Sequence, residues 1–169
     1  TWRSEQLTYL AKILHKRNTS IEFQSLLEAA NIELLSLEIS SENTQIIHSK
    51  KRNIELLLKE FNRNRNLDPK LVELLATAKS KGYESWQEAK MKSDFNIFLP
   101  YFKELIKLRI EEAKQISDQY SPWETLAQPF EPDLTLKWLN KIFKPLRETL
   151  PALTREIGKS KKYSWDLTP

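Results

Sequence analysis

The sequence predicts an all-α fold: a bundle of about six to eight helices, several of them long and amphipathic. Apolar residues recur at intervals of three and four along most of the chain, which places them on one face of a helix. Only two glycines occur in 169 residues, whereas hairpin-rich sheets and phosphate-binding loops need residues that tolerate positive φ. Alternation of apolar and polar residues never extends beyond a few positions, which argues against strands.

Size and composition restrict the kind of protein. A chain of 169 residues suits one domain or one lobe of something larger. The absence of cysteine excludes disulfides and thiolate zinc sites, fits a reducing compartment and leads us to expect a cytoplasmic protein. The longest apolar runs have three residues, such as Leu56–Leu58, so no membrane span and no membrane partner are expected. The N-terminus has no signal-peptide pattern.

Three helices are predicted in the first 65 residues. The spacing places apolar residues on one face of the first helix, and Thr19 with Glu22 fits a capping box that would open a short second helix. A third helix is expected to begin near Ser41. The apolar positions on which these predictions depend are Trp2, Leu7, Leu10, Ala11 and Leu14, then Leu26, Leu27 and Ala30, then Ile47, Ile54, Leu57, Leu58 and Phe61.

A fourth helix is predicted to start at Asp68-Pro69. Aspartate caps a helix, and proline at the first helical position loses no needed hydrogen bond. Gly82 falls inside the apolar stripe of this helix. Glycine there either breaks the helix or permits a close contact with a neighbouring helix, and we favour the close contact.

The stretch from Ser85 to Lys114 is predicted to be largely helical and structural. Its apolar residues form one broad face and its charged residues the other. Pro100 either opens the long helix in this stretch or kinks it. The apolar positions are Phe95, Phe98, Leu99, Phe102, Leu105, Ile106, Ile110 and Ala113.

The C-terminal part combines a proline-rich connection with one last helix. The segment SPWETLAQPFEPDL holds three prolines in 14 residues, and Ser121, Pro122 and Glu124 fit a capped turn. The last helix is predicted from its apolar positions Leu139, Ile142, Phe143, Leu146, Leu150, Leu153 and Ile157. Its two prolines, Pro145 and Pro151, predict kinks near the C-terminus, and Gly158 predicts its end.

No catalytic, cofactor-binding or metal-binding residue is predicted in this chain. His15 and His48 lie on different predicted helices, and neither has an acidic residue or a second histidine three or four positions away. The adjacent Glu111 and Glu112 could in principle do acid–base chemistry, but the lysine-rich face around them predicts solvated charge. The sequence contains no H-E-x-x-H and no G-x-S-x-G motif.

Nucleic-acid binding is not expected. The net charge of +4 is modest, and the basic runs HSKKRN (48–53) and KSKK (159–162) are short. Tryptophans could stack on bases, yet Trp2, Trp86 and Trp138 lie on or beside apolar stripes. A solvated surface explains both runs.

Three blocks, in order along the chain, resemble the carboxypeptidase Taq family. The first extends from Arg3 to Ala30, with Arg3, Gln6, Leu10, Ala11, Leu14, His15 and Thr19 at matching positions. The second is the Ser85–Lys114 stretch, with matches at Trp86, Ala89, Asp94, Phe95, Phe98 to Tyr101, Glu112 and Ala113. The third is SPWETLAQPFEPDLTLKWLNKIFKPL (121–146), which departs from the family pattern at Ser121 to Trp123, Gln128 and Asp133.

The resemblance implies an all-helical metal-dependent carboxypeptidase of about 500 residues, usually a homodimer, with a deep groove for its peptide substrate. Zinc or a similar divalent ion would be held by H-E-x-x-H and a further glutamate. Because none of these residues exists here, residues 1–169 are expected to be the N-terminal helical region, which walls or covers the groove and is not catalytic alone. The alternative is a free-standing helical module that binds protein partners.

Overall fold

The computed structural model describes residues 2–40 and 44–159. Within these ranges it contains seven α-helices, one short 3-10 helix and no strand, which confirms the predicted all-α class. The helices are α1 (Trp2–Asn18), α2 (Ile21–Ser40), α3 (Thr44–Arg65), α4 (Pro69–Lys92), α5 (Leu99–Ile116), α6 (Pro122–Ala127) and α7 (Leu136–Lys159), with the 3-10 turn at Phe95–Ile97. The predicted start of the third helix near Ser41 falls outside the described residues. No described helix is both long enough and apolar enough to cross a membrane.

The chain divides into two compact units, Thr1–Thr125 and Leu126–Pro169. In the first unit α4 is central and packs against both α1 and α5, while α2 packs against α3. The core beneath α4 consists of Leu71, Leu75 and Leu108, with Ala78 packed against them. Because leucines from α4 and α5 bury one another, these two helices form the apolar centre of the unit.

The junction between α1 and α2 differs from the prediction. Ser20, not Thr19, caps α2, because its Oγ accepts a hydrogen bond from the backbone N–H of Phe23 (3.1 Å). The Thr19 hydroxyl instead donates to the carbonyl of His15 at 2.8 Å and so completes the end of α1. The second helix also has 20 residues and is not short. The two hydroxyls are adjacent in the chain, so a shift of one residue separates the cap of α2 from the end of α1.

The face that α1 presents to α4 is polar and is not the apolar face that the sequence predicts for this helix. Ser4 is buried, Thr8 Oγ1 shares a hydrogen bond with Thr77 Oγ1 at 2.8 Å, and Lys12 Nζ lies 2.8 Å from a Glu73 carboxylate oxygen. The predicted apolar residues stay open: Leu10 is 60% exposed and Leu14 is 59% exposed. Small polar side chains allow the two helices to approach closely, so the apolar stripe of α1 is left beside the contact.

Both predictions for α4 are confirmed. Asp68 is the N-cap, and its side chain accepts a hydrogen bond from the Lys70 backbone N–H at 2.8 Å. The helix continues through Gly82, where a Cβ would lie 2.8 Å from Leu105 Cδ1. Glycine here allows α5 to lie close against α4, which is the contact that the sequence favoured over a break.

The Ser85–Lys114 stretch is two helices joined by a tight corner. α4 ends at Ser93, which adopts a left-handed conformation with φ of 52°. Asp94 then caps the 3-10 turn by accepting from the Asn96 N–H at 3.0 Å. Pro100 lies in the first turn of α5, so of the two predicted roles it opens the helix.

The second unit consists of the residues after Thr125, including all of α7. Its loop is held by Gln128, which accepts from the Asp133 N–H at 2.9 Å and donates to the Leu134 carbonyl at 3.0 Å. α7 continues through Pro145 and Pro151, and no residue of it is buried. The helix also includes Gly158, so the predicted stop there is wrong. Because proline has no backbone N–H, Pro145 and Pro151 each remove one backbone hydrogen bond from α7. The predicted kinks at these residues remain a prediction.

Candidate functional site

The main concave feature of the first unit is a groove of about 730 Å³ alongside the α1–α4 contact. Its floor is apolar, with Leu7, Ala11 and Leu14 from α1 and Val72, Leu75 and Ala76 from α4. We call this feature the α1/α4 groove. It exists because α1 uses its polar face to contact α4, which leaves Leu7 and Leu14 exposed beside the half-buried Val72 and Ala76 of α4.

The groove follows the helix axes. α1 and α4 are antiparallel, because Thr8 meets Thr77 and Lys12 meets Glu73. Its lining extends along α1 from Arg3 to Asn18. At 1.5 Å per residue this is about 22 Å, or the length of a helix of roughly 15 residues. The rim carries both signs of charge, with Arg3 and Lys79 as cations and Glu60 and Glu84 as anions.

One wall of the groove holds a cluster of charges from three helices. Glu112 on α5 is only 9% exposed and accepts a charge-assisted hydrogen bond from Arg109 one turn earlier. Arg63 on α3 donates to the Thr125 carbonyl at 3.0 Å. Lys79 on α4 borders the same space. The cluster thus brings three cations around one buried carboxylate.

The pKa directions show what this environment does to the cations. The pKa of Arg63 is lowered, chiefly by burial, with Glu112 opposing and Arg109 reinforcing that shift. The pKa of Lys79 is also lowered, first by partial burial and then by repulsion from Arg109, against the attraction of Glu112. Much of the Lys79 side chain is exposed, but the surrounding protein still removes water from its ammonium group. The three cations of this cluster share one buried carboxylate, while Glu60 and Glu84 line other parts of the groove.

The predicted histidines are not brought together with other ligands. His15 lines the groove near its end, and its backbone carbonyl accepts from the Thr19 N–H at 3.0 Å. His48 is exposed on α3. Among the described residues no three His, Cys, Asp or Glu side chains form a group that could hold an ion. The donor set present here does not fit the divalent metal that the resemblance implies, so no chemical step is assigned to it.

The two adjacent glutamates behave differently from each other, which corrects the prediction that both are solvated. Glu111 is exposed, whereas Glu112 is buried and bound to Arg109. Consecutive helical residues point about 100° apart, so one can face solvent while the next faces the groove wall. No pair of carboxylates is available here for shared acid–base work.

The basic runs add no site. Arg52 is engaged with Glu55 at 3.3 Å, and Lys161 and Lys162 lie outside the described residues. Trp2, Trp86 and Trp138 are more exposed than their apolar stripes suggested, at 76%, 43% and 51%. Trp86 already carries Lys90 over its ring at 5.3 Å. That nucleic acid does not bind remains a prediction.

Sequence reasoning missed the α1/α4 groove and the charge cluster at its wall. Arg63, Lys79 and Arg109 are 16 and 30 residues apart, on three different helices. No local spacing connects them, so only the packing of α3, α4 and α5 brings them together. The apolar stripe of α1 is visible in the sequence, but its spacing does not say which surface it faces.

Comparison with known proteins gives a consistent result. The family model described as "Carboxypeptidase Taq (M32) metallopeptidase" matches residues 1–166. Carboxypeptidase 1 of Bacillus subtilis is 32% identical over 110 residues, covering 65% of this chain and 22% of the relative. Thermostable carboxypeptidase 1 of Thermus thermophilus is 26% identical over 170 residues, covering 95% of this chain and 32% of the relative.

A solved structure agrees with this assignment. The structure described as "BsuCP Crystal Structure" superposes with a TM-score of 0.79 at 27% identity, covering 94% of this chain and 30% of that one. The chain therefore spans between about a fifth and a third of the length of these relatives. Ordered sequence blocks, an all-helical fold and a match across nearly every residue lead to one conclusion: the chain belongs to the carboxypeptidase Taq (M32) metallopeptidase family.

Proposed function

We propose that these 169 residues are the N-terminal helical region of a metal-dependent carboxypeptidase that removes C-terminal amino acids from peptides. The observation that carries this proposal is the family match over residues 1–166, together with relatives named as carboxypeptidases. In this role the segment walls or covers the substrate groove and is not catalytic by itself. Zinc or a similar divalent ion is held by residues outside it.

Two features support a non-catalytic role. The sequence has no H-E-x-x-H motif, and in that arrangement two histidines bind the metal while the glutamate activates its water. The described carboxylates and histidines are dispersed or, like Glu112, bound to a cation. We extend the proposal to a cytoplasmic enzyme that forms a homodimer.

A direct assay tests the non-catalytic role. The 169-residue chain, shown to be helical by circular dichroism, is incubated with zinc or cobalt and a peptide bearing a free C-terminus. We expect no amino acid to be released, whereas a full-length member of the family releases it under the same conditions. Metal-dependent release by the short chain would contradict the proposal.

A second assay tests the role at the substrate groove. In the full-length enzyme, a peptide substrate analogue with a photoreactive group at its N-terminal end is bound and irradiated. Labelled peptides are expected to include residues from 1–169. If labels were confined to the remainder of the enzyme at saturating peptide, this segment would not line the substrate groove.

A further inference from the structure

We propose that the α1/α4 groove is the binding site for an amphipathic helix from the remainder of the same polypeptide, and that this helix places a carboxylate against Lys79. The inference rests on the proposed function, because it takes these residues to be part of a longer enzyme. It goes further by naming one surface, one occupant and the chemistry of their contact.

The length and floor of the groove favour a helix. The groove is about 22 Å long, which accommodates roughly four turns of helix, and its apolar part lies at its middle, between Leu7 and Leu14 of α1. Leu14 is 59% exposed and Leu7 is 44% exposed on this floor, so there is apolar area for a partner to bury. The mixed charges of the rim suit a helix with one apolar and one charged face.

The charges favour an acidic group on that helix. Arg109 already donates a hydrogen bond to the carboxylate of Glu112. Lys79 has no hydrogen-bond or ion-pair partner among the described residues. Arg109 lies near enough to Arg63 and to Lys79 to lower the pKa of each. A carboxylate opposite Lys79 would give its partly buried ammonium group a counter-ion, and covering the groove would strengthen that attraction by removing water.

Chain length favours an occupant from the same polypeptide. The relatives are several times longer than the part that this chain matches, which covers 22% and 32% of the two carboxypeptidases and 30% of the similar solved structure. Most of such an enzyme is therefore available to supply the helix. A second copy of the chain and an unrelated protein are the other possible occupants, and the experiment separates them.

Thiol labelling in the full-length enzyme tests whether the groove is covered. These 169 residues contain no cysteine, so Leu14→Cys introduces one thiol into a defined region. We expect a maleimide to modify it at least about tenfold more slowly in the native enzyme than in urea. The control is Lys16→Cys, an exposed position on the same helix that does not line the groove and is expected to react quickly. Equal native and unfolded rates for Leu14→Cys would overturn the proposal.

Zero-length coupling identifies the occupant. Carbodiimide treatment of the native enzyme should join Lys79 to an Asp or Glu beyond residue 169 of the same molecule. Lys107, exposed on α5, serves as the control and should not yield that product. Coupling of Lys79 only to Glu60, Glu84 or Glu112, to a second copy or to another protein would overturn the proposal. If the full-length protein, before any treatment, showed no carboxypeptidase activity, that result would contradict the proposed function but not the proposed occupant of the groove.

Discussion

At the scale of single residues, Glu112 is a charged side chain whose burial depends on its neighbours. It is a buried carboxylate with Arg109 bound to it and with Arg63 and Lys79 nearby. A buried carboxylate among cations is stabilised by them, and it stabilises them in turn. Removing its charge leaves cations facing one another without a shared counter-charge.

We therefore expect Glu112→Gln to lower the free energy of unfolding by about 1–3 kcal/mol. This is less than the 3–5 kcal/mol typical of breaking a fully buried pair, because Arg109 is 40% exposed and water screens it. Urea unfolding followed by circular dichroism measures the change. The matched control is Glu111→Gln on the exposed face, expected to stay within about 0.5 kcal/mol. Equal effects of the two substitutions would show that burial of Glu112 contributes nothing.

The two glycines provide a second prediction at this scale. At Gly82 a Cβ would meet Leu105 Cδ1 at 2.8 Å, but that atom is the end of a flexible side chain. The helix-propensity gain of alanine, about 1 kcal/mol, is then offset by the shift of Leu105. We expect Gly82→Ala to change unfolding stability by less than about 1 kcal/mol, whereas Gly82→Val, with more volume to accommodate, costs about 1–3 kcal/mol.

Gly158 is the control for that pair. It also lies inside a helix, but nothing approaches its Cβ position within 4 Å. We expect Gly158→Ala to raise the helical signal of the chain slightly, by at most about 1 kcal/mol of helix stability. No loss of stability in Gly82→Val would show that α4 and α5 are not held as closely as described, whereas a substantial loss in Gly82→Ala would show that Leu105 cannot shift to make room.

At the scale of elements, helix ends are determined by single side chains. Ser20 caps α2, Asp68 caps α4, and Ser121 with Glu124 forms a reciprocal box at α6, where Glu124 accepts from the Ser121 N–H at 3.2 Å. Each satisfies a backbone N–H that has no partner within its own helix. The cap of α2 is the one that the sequence assigned to the wrong hydroxyl.

The α1–α2 junction distinguishes the two hydroxyls experimentally. Ser20→Ala removes the acceptor for the Phe23 N–H and should cost about 1 kcal/mol of stability, while Ser20→Asp should retain most of it. Thr19→Ser keeps the hydroxyl that donates to the His15 carbonyl and should be close to neutral. Denaturant midpoints measure all three. No loss of stability in Ser20→Ala would show that Ser20 does not cap α2.

At the scale of the whole molecule, apolar surface exceeds what the described helices can bury. Nine hydrophobic residues are buried, whereas 33 large hydrophobic residues are exposed among those described. α7 has a strongly amphipathic sequence and no buried residue. Exposed hydrophobic residues in this number, with a whole amphipathic helix among them, are typical of a region that packs against more protein.

The isolated 169-residue chain should therefore bind a hydrophobic dye such as ANS and associate as its concentration rises. Dye fluorescence and sedimentation velocity measure these properties. The full-length enzyme is the comparison, and it should bind far less dye per molecule because the same faces are covered. A short chain that remains monomeric at high concentration and binds no dye would show that its exposed faces need no partner.

The sequence alone determined the helical class, the Asp68-Pro69 start, the close approach at Gly82 and the family, because each depends on local spacing or on residues read in order. It could not place the stripe of α1. Whether Leu14 or Ser4 faces α4 depends on how closely two helices can approach, and Ser4, Thr8 and Thr77 allow an approach that larger side chains would prevent. The α1/α4 groove and its cluster of cations follow from that packing. They are set by contacts between residues as much as 69 positions apart, which no local pattern encodes.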